Sequence, residues 1–497
     1  MYIHMDICVI FVDNQQPFYN RMNTRRDFIK TGSILGAGML LPSLDAFTIG
    51  KPDFISRRPA LSDRHFTSEA VEATIKNMKK ALPNKELAWM FENCFPNTLD
   101  TTVYHEMKDG VPDTYVITGD IDAMWLRDST EQVWPYVPLA AKDPKLRQLL
   151  AGVINRQVRC ILKDPYANAF YKDETKISEW KDDITAMQPG IHERKWEIDS
   201  LCFPVRLAYK YWKTTADVQC FGKDWKESVR LTLRTFREQQ KKTGKGPYSF
   251  QRKTSWATDG VPLSGYGYPV KPVGLICSSF RASDDATIFP FLIPANFFAV
   301  VSLRQAAEIL FKVYNDSTLG NDCLALADEV ALALQKYGIV KHPDFGEVYA
   351  YEVNGFGSFN IMDDAGTPSL LSLPYLDAVQ ANDPVYQRTR ALILSDANPF
   401  FFKSTRAESI GSPHSGIDMI WPLSIITRAL TSSKDSEIKA AVKMLIDTHA
   451  GTGFIHESFH KDDPSNYTRK WFAWANTLFA ELVLQIHEKK PHLWKEI

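Results

Sequence analysis

Glu457 lies in Gly453-Phe454-Ile455-His456-Glu457-Ser458-Phe459-His460, a lone carboxylate between two imidazoles, and Trp471-Phe472-Ala473-Trp474 follows soon after. Aromatic and imidazole groups around one acid make a poor core and a good wall for a sugar ring. A carboxylate so placed can take a proton from water. Hydrolysis of a glycoside needs a second carboxyl group, and Arg281-Ala282-Ser283-Asp284-Asp285-Ala286-Thr287 offers a doublet. Adjacent side chains on an extended segment point opposite ways. One of Asp284 and Asp285 can therefore face a cleft while the other caps a helix or orients the site. Burial and a like charge nearby would raise one pKa, the condition for a general acid at neutral pH.

Four further loops carry polar groups suited to sugar hydroxyls. Thr118 to Ser129 holds Trp125, Arg127 and Asp128; an Arg donates and an Asp accepts, so the pair can grip vicinal hydroxyls. The same pair could instead cap a helix starting at Ser129. In Lys195-Trp196-Glu197-Ile198-Asp199-Ser200-Leu201, Asp199 or Ser200 could be a plain N-cap or take part in catalysis. Met362-Asp363-Asp364-Ala365 adds another doublet. Gly411-Ser412-Pro413-His414-Ser415 presents His414 on a turn, as a donor to a hydroxyl or as a structural histidine.

Long polar loops need rigid elements to aim them. The periodicity predicts mainly helices. Val71, Ile75, Met78 and Leu82 share one face behind Thr67/Ser68; Leu146 to Ile154 and Trp225 to Phe236 repeat the pattern. Further helices are expected from Pro294 to Tyr314, Cys323 to Tyr337, Ile438 to His449 and Trp471 to His487. Strand-like runs are few, Thr101 to Tyr104 and Thr114 to Thr118 being the clearest. Helices joined by long loops suggest hairpins stacked in a ring, with the loops gathered at one mouth.

The chain has 497 residues and a net charge of −1, so nothing draws it to nucleic acid or an anionic membrane. Its seven cysteines show no CxxC pair and no metal-ligand spacing with histidine, so buried thiols are the default. Asn23-Thr24-Arg25-Arg26-Asp27-Phe28-Ile29-Lys30 has the form of a twin-arginine signal, with Gly32 to Leu44 as a short apolar stretch. This predicts an exported, periplasmic protein without stable membrane insertion, with the true start possible at Met22. The expected organisation is a leader over 1–46, a linker over 47–65, and one catalytic domain over 66–497.

Asp122-Ala123-Met124-Trp125-Leu126-Arg127-Asp128-Ser129, Ser283-Asp284-Asp285-Ala286-Thr287, Met362-Asp363-Asp364-Ala365, Gly411-Ser412-Pro413-His414 and Gly453 to Phe459 together resemble glycoside hydrolase family 125. The resemblance runs from about residue 65 to the C-terminus, with all five motifs in family order. It implies an (α/α)6 barrel and a metal-independent exo-α-1,6-mannosidase that inverts the anomeric centre. It implies Glu457 as the base and Asp284 as the acid, with Asp285 the rival for that role. Arg127 and Asp128, with Trp125 beside them, match the segment that holds the terminal mannose; Asp364 and His414 match cleft-lining segments. Ser415 to Met419 and Gly366-Thr367 depart from the family pattern, which bears on the pocket rim. No HExxH or EF-hand spacing occurs, and no cofactor is expected. The expected partner is a mannose-containing oligosaccharide, bound by a monomer. A polysaccharide lyase or unsaturated-uronide hydrolase on a similar barrel, or a non-catalytic glycan-binding protein, are the competing readings.

Overall fold

Ser68 accepts a hydrogen bond from the Val71 amide and opens the first of thirteen α-helices in the described residues, 54–497 of the computed structural model. The leader and its twin-arginine segment lie outside the described residues. This helix, α1 (Glu69–Ala81), carries Glu69 and Glu72 in its first turn and Lys79 and Lys80 in its last, matching the helix dipole, and buries Val71, Ile75 and Met78. The same local rules recur along the chain. Asp143 caps α5 (Pro144–Lys163), Asp316 caps α9 (Ser317–Tyr337) and Asp383 caps α10 (Pro384–Ile393). Proline stands in the first turn of α5, α8 (Ile293–Lys312), α10 and α11 (Pro422–Leu430), where its missing N–H costs nothing.

Two kinds of helix alternate. The amphipathic α5, α7 (Lys223–Gln239), α9, α10 and α12 (Asp435–Thr448) bury one face. Between them in sequence come α4 (Leu126–Glu131), α6 (Ile198–Thr215), α8, α11 and α13 (Ala473–Lys489), buried on most sides. A helix apolar all round must lie between others. Accordingly α13 packs on α4, α4 on α6, α6 on α8, and α11 on α13; α2 (Lys85–Cys94) and α3 (Asn97–Thr101) also lie against α13. In the second set, α5 packs on α7 and α7 on α9.

Strands are short and stand where loops meet the buried helices. β1 (Val103–Lys108) and β2 (Val111–Val116) form a hairpin two residues beyond the expected start. β3 (Met124–Trp125), β4 (Ala169–Phe170) and β5 (Ile191–Glu193) form a second sheet just ahead of α4 and α6. Residues 54–65, read from composition as linker, are instead fastened to the helices. The Arg58 guanidinium takes Asp100 at 2.8 Å and also Glu72, and Phe54 packs on Trp89. Charge spacing hid this, because Arg58 finds its partners only after α1 and α3 are folded side by side. The six described cysteines are free and buried.

Polar groups also meet among the buried helices. Tyr375 Oη lies 3.0 Å from Glu131 Oε2 on α4 and 2.9 Å from Glu481 Oε2 on α13, and Arg206 on α6 pairs with Glu131. One phenol has one proton to donate, so only one of the two carboxylates takes it, while Trp134 and Gln485 also donate to Glu481. Burial pushes the Glu131 carboxyl up to about 7, with Glu481 beside it adding to the rise. A carboxyl whose folded pKa is raised gives stability that is present at low pH and lost as pH rises through the folded value. Unfolding free energy is therefore expected to fall by about 3 kcal/mol between pH 4.5 and 8. Glu131→Gln should flatten that window in denaturant titrations; an unchanged slope would show that the pair holds no extra proton.

Candidate active site

Asp284 sits just ahead of α8 in a left-handed turn, φ 68°, a conformation that costs energy for a residue with a Cβ. Several bonds hold it there. Its N–H donates to the Arg281 carbonyl at 2.9 Å, and its own carbonyl accepts from Lys195 Nζ at 2.9 Å. Arg127 Nη2 reaches its Oδ1 at 3.4 Å. The turn separates the doublet. The Asp284 side chain is 12% exposed, whereas that of Asp285 is 2% exposed. Asp285 accepts from Thr258 Oγ1 at 2.6 Å and from Ser283 Oγ at 3.3 Å, and His414 Nδ1 lies 3.9 Å away. Burial raises the Asp285 pKa, partly countered by His414.

Glu457 precedes β7 (Phe459–His460) on the segment that enters α13. The Phe472 amide donates to the Ile455 carbonyl at 2.9 Å, and the Ile455 amide donates to Asn476 Oδ1 at 2.9 Å, so the start of α13 fixes the strand that carries the acid. Thr468 Oγ1 donates to Glu457 Oε2 at 3.2 Å and Arg469 Nη1 to Oε1 at 3.3 Å. His456 does not wall the acid as its neighbouring position suggests. Its ring stacks on Tyr467 at 3.9 Å between centroids, and its Nδ1 faces the Arg469 carbonyl.

The loops are joined one to the next in a closed circuit. Ser283 Oγ donates to Asp364 Oδ2 at 2.6 Å. The Ala365 amide donates to the Gly411 carbonyl at 3.2 Å. β6 (Met419–Ile420) pairs with β7, Ile420 opposite Phe459. The segment from Glu457 leads to Arg469, whose Nη2 donates to the Thr118 carbonyl at 3.2 Å. The loop from Thr118 ends at Arg127, and Arg127 returns to Asp284. Glu457 and Asp284 thus occupy separate stations on one rim. A line of rings joins members of the circuit: His414 to Trp421 at 6.0 Å, Trp421 to Phe472 at 6.4 Å, Phe472 to Trp474 at 6.1 Å, and Arg127 over Trp474 at 5.9 Å.

Two expectations for the first loop are corrected. Arg127, expected to grip sugar hydroxyls, has a side chain 3% exposed and spends its donors on carboxylates: Glu197 at 2.9 Å, Asp199 at 2.8 Å and Asp284. Asp128 lies 3.7 Å from the same guanidinium and is also buried. Trp125 is buried by the pairing of β3 with β4, among Ala123, Ala169 and Tyr171, edge-on to His192 at 5.0 Å, so it offers no open face. His414 remains partly exposed, and Asp364 is buried.

Glu197 and Asp199 belong to the site without acting as helix caps. Burial raises both pKa values, that of Glu197 strongly, with Arg127 opposing the rise. Lys195, Glu197 and Arg469 were legible in sequence only as charges in polar loops; their roles depend on partners 64 to 351 positions away. No group of three or more His, Cys, Asp and Glu side chains among the described residues could hold a metal ion. The arrangement offers two partly exposed carboxylates, each fastened by a buried cation.

Residues 84–484 match the sequence profile of the metal-independent α-mannosidases, GH125. The meiotically up-regulated gene 157 protein of Schizosaccharomyces pombe is 42% identical over 458 residues, 88% of this chain and 90% of its own. A metal-independent α-mannosidase of Streptococcus pneumoniae, solved as a non-productive complex with α-1,6-mannobiose, superposes with a TM-score of 0.83 at 38% identity, covering 86% of this chain and all of the other. A bacterial glucoamylase bound to acarbose shares the fold at a TM-score of 0.52 and 13% identity, covering 84% of this chain and 58% of its own.

Proposed function

Because the chain belongs to the metal-independent α-mannosidases of family GH125, and is thus a glycoside hydrolase, we propose that it releases terminal mannose from α-1,6-mannosides with inversion. The alternation of buried and amphipathic helices and the likeness to the glucoamylase support reading the fold as an (α/α)6 barrel with the loop circuit at its mouth. The twin-arginine segment supports export.

Asp284 is the general acid and Glu457 the general base. The observation that carries this is the closed circuit, which puts two partly exposed carboxylates on one rim, on different loops. A glycoside bound between them presents its bridging oxygen to Asp284, which gives it a proton as the C1–O bond breaks. Glu457 removes a proton from a water that attacks C1 from the opposite face. Inversion requires carboxyl groups roughly 6.5–9.5 Å apart so that this water fits. Asp285 stays behind the acid, holding Thr258 and Ser283. The α-1,6 linkage is supported by the mannobiose that the pneumococcal relative binds.

Time-resolved digestion of mannobioses differing only in linkage tests this. Mannose should come chiefly from the α-1,6 disaccharide, and proton NMR of the first product should show the β-anomer. An α-anomer at early times would exclude inversion. Faster cleavage of another linkage would move the substrate assignment.

A further inference from the structure

Glu457 is held through both oxygens by consecutive residues, Thr468 and Arg469, and Arg469 is itself held from outside the segment. The Arg469 side chain is 9% exposed and lies over the Phe472 ring at 4.8 Å. Its Nη2 donates to the Thr118 carbonyl at 3.2 Å and to the carboxylate of Asp120, whose side chain is 59% exposed. Gly119 lies between these two acceptors at φ 64°, and a Cβ there would stand 3.0 Å from Arg469 Nη2 and 3.4 Å from Trp471. The Thr118 turn is thus shaped to receive the guanidinium.

We propose that Arg469, seated by Asp120 and the Thr118 carbonyl, is a positioning residue that keeps Glu457 ionised and aimed as the general base. This rests on the reading of Glu457 as that base. Arginine is suited to the task because its planar fork fixes direction as well as charge. A cation at hydrogen-bond distance favours the ionised form of a carboxylate, and a base must be free to accept a proton. The other groups round Glu457 do not replace it. His456, whose pKa burial lowers, faces the Arg469 carbonyl; Tyr467 is stacked on His456; His414 faces Asp285; and Asp120 is an anion. The loop that seats Arg469 also ends in Arg127, which reaches Asp284, so one segment sets both carboxylates.

The test compares the parent with Asp120→Asn, Arg469→Lys and Arg469→Met on α-1,6-mannobiose, reading kcat and KM from acid to neutral pH and the melting temperature of each. The loss should fall in kcat, with KM within about threefold. Arg469→Met should lose about 100-fold or more, with Arg469→Lys between it and the parent. The acidic limb of the kcat/KM profile should move to higher pH in both arginine variants. Asp120→Asn carries the test if the arginine variants fail to fold, because Asp120 is solvent-exposed. A parental kcat in Asp120→Asn, an acidic limb that stays in place in a folded arginine variant, or a loss confined to KM overturns the proposal and leaves Arg469 a purely structural residue. If Glu457→Gln keeps parental turnover, the base assignment fails first; if Glu457→Gln is inactive and the limb still does not move, only this inference fails.

Discussion

Glu457→Gln is expected to lower kcat for α-mannoside hydrolysis by about 100- to 10,000-fold at an unchanged melting temperature. The substitution keeps the shape of the side chain and an oxygen that Arg469 can still reach, but no proton acceptor for water. The loss should be the same whatever the leaving group, because the base acts on the water. Asp284→Asn should lose a similar factor on a disaccharide and far less on an aryl α-mannoside whose phenol leaves without a proton. That contrast separates acid from base more sharply than either loss alone. Should Asp285→Asn show the leaving-group dependence and Asp284→Asn not, the acid is Asp285. Such an outcome would require Asp285 to give up Thr258 and Ser283, which now hold it in the buried interior.

Arg127→Met is expected to destabilise the fold by about 3–5 kcal/mol and to abolish turnover. One guanidinium serves Glu197, Asp199 and Asp284, and the first two are fully buried. Without it, both keep their desolvation and lose the cation that opposed it, so their folded pKa values rise further. Raised carboxyl values make stability present at low pH and lost as pH increases. The variant should therefore melt closest to the parent near pH 5 and fall away towards pH 8. A melting temperature equal to the parent's at pH 8 would show that these carboxylates do not depend on Arg127.

Local signals announced most helices. The cap at Ser68, the prolines at Pro144 and Pro294 and the apolar repeats of α1, α5, α7 and α12 depend on neighbours a few positions away. α10 and α11 lie outside the helices expected from periodicity, because each is short and opens on a proline, Pro384 and Pro422. The docked stretch from Phe54 to Arg58 looked like linker because proline, serine and charge are frequent across the 47–65 segment that contains it, although its partners wait on α1, α2 and α3.

Family membership and the two stretches that hold the candidate carboxylates were legible along the chain, since residue type, order and spacing are local properties and five motifs in order are specific. What each charge pairs with emerged on folding. Arg127 and Arg469 look alike as cations in polar loops, and either could touch sugar. Their buried settings commit both to carboxylates, because a charge removed from water must be paired where it lies. The same folding turned Asp284 outward and Asp285 inward, through one left-handed turn that no neighbouring residue dictates.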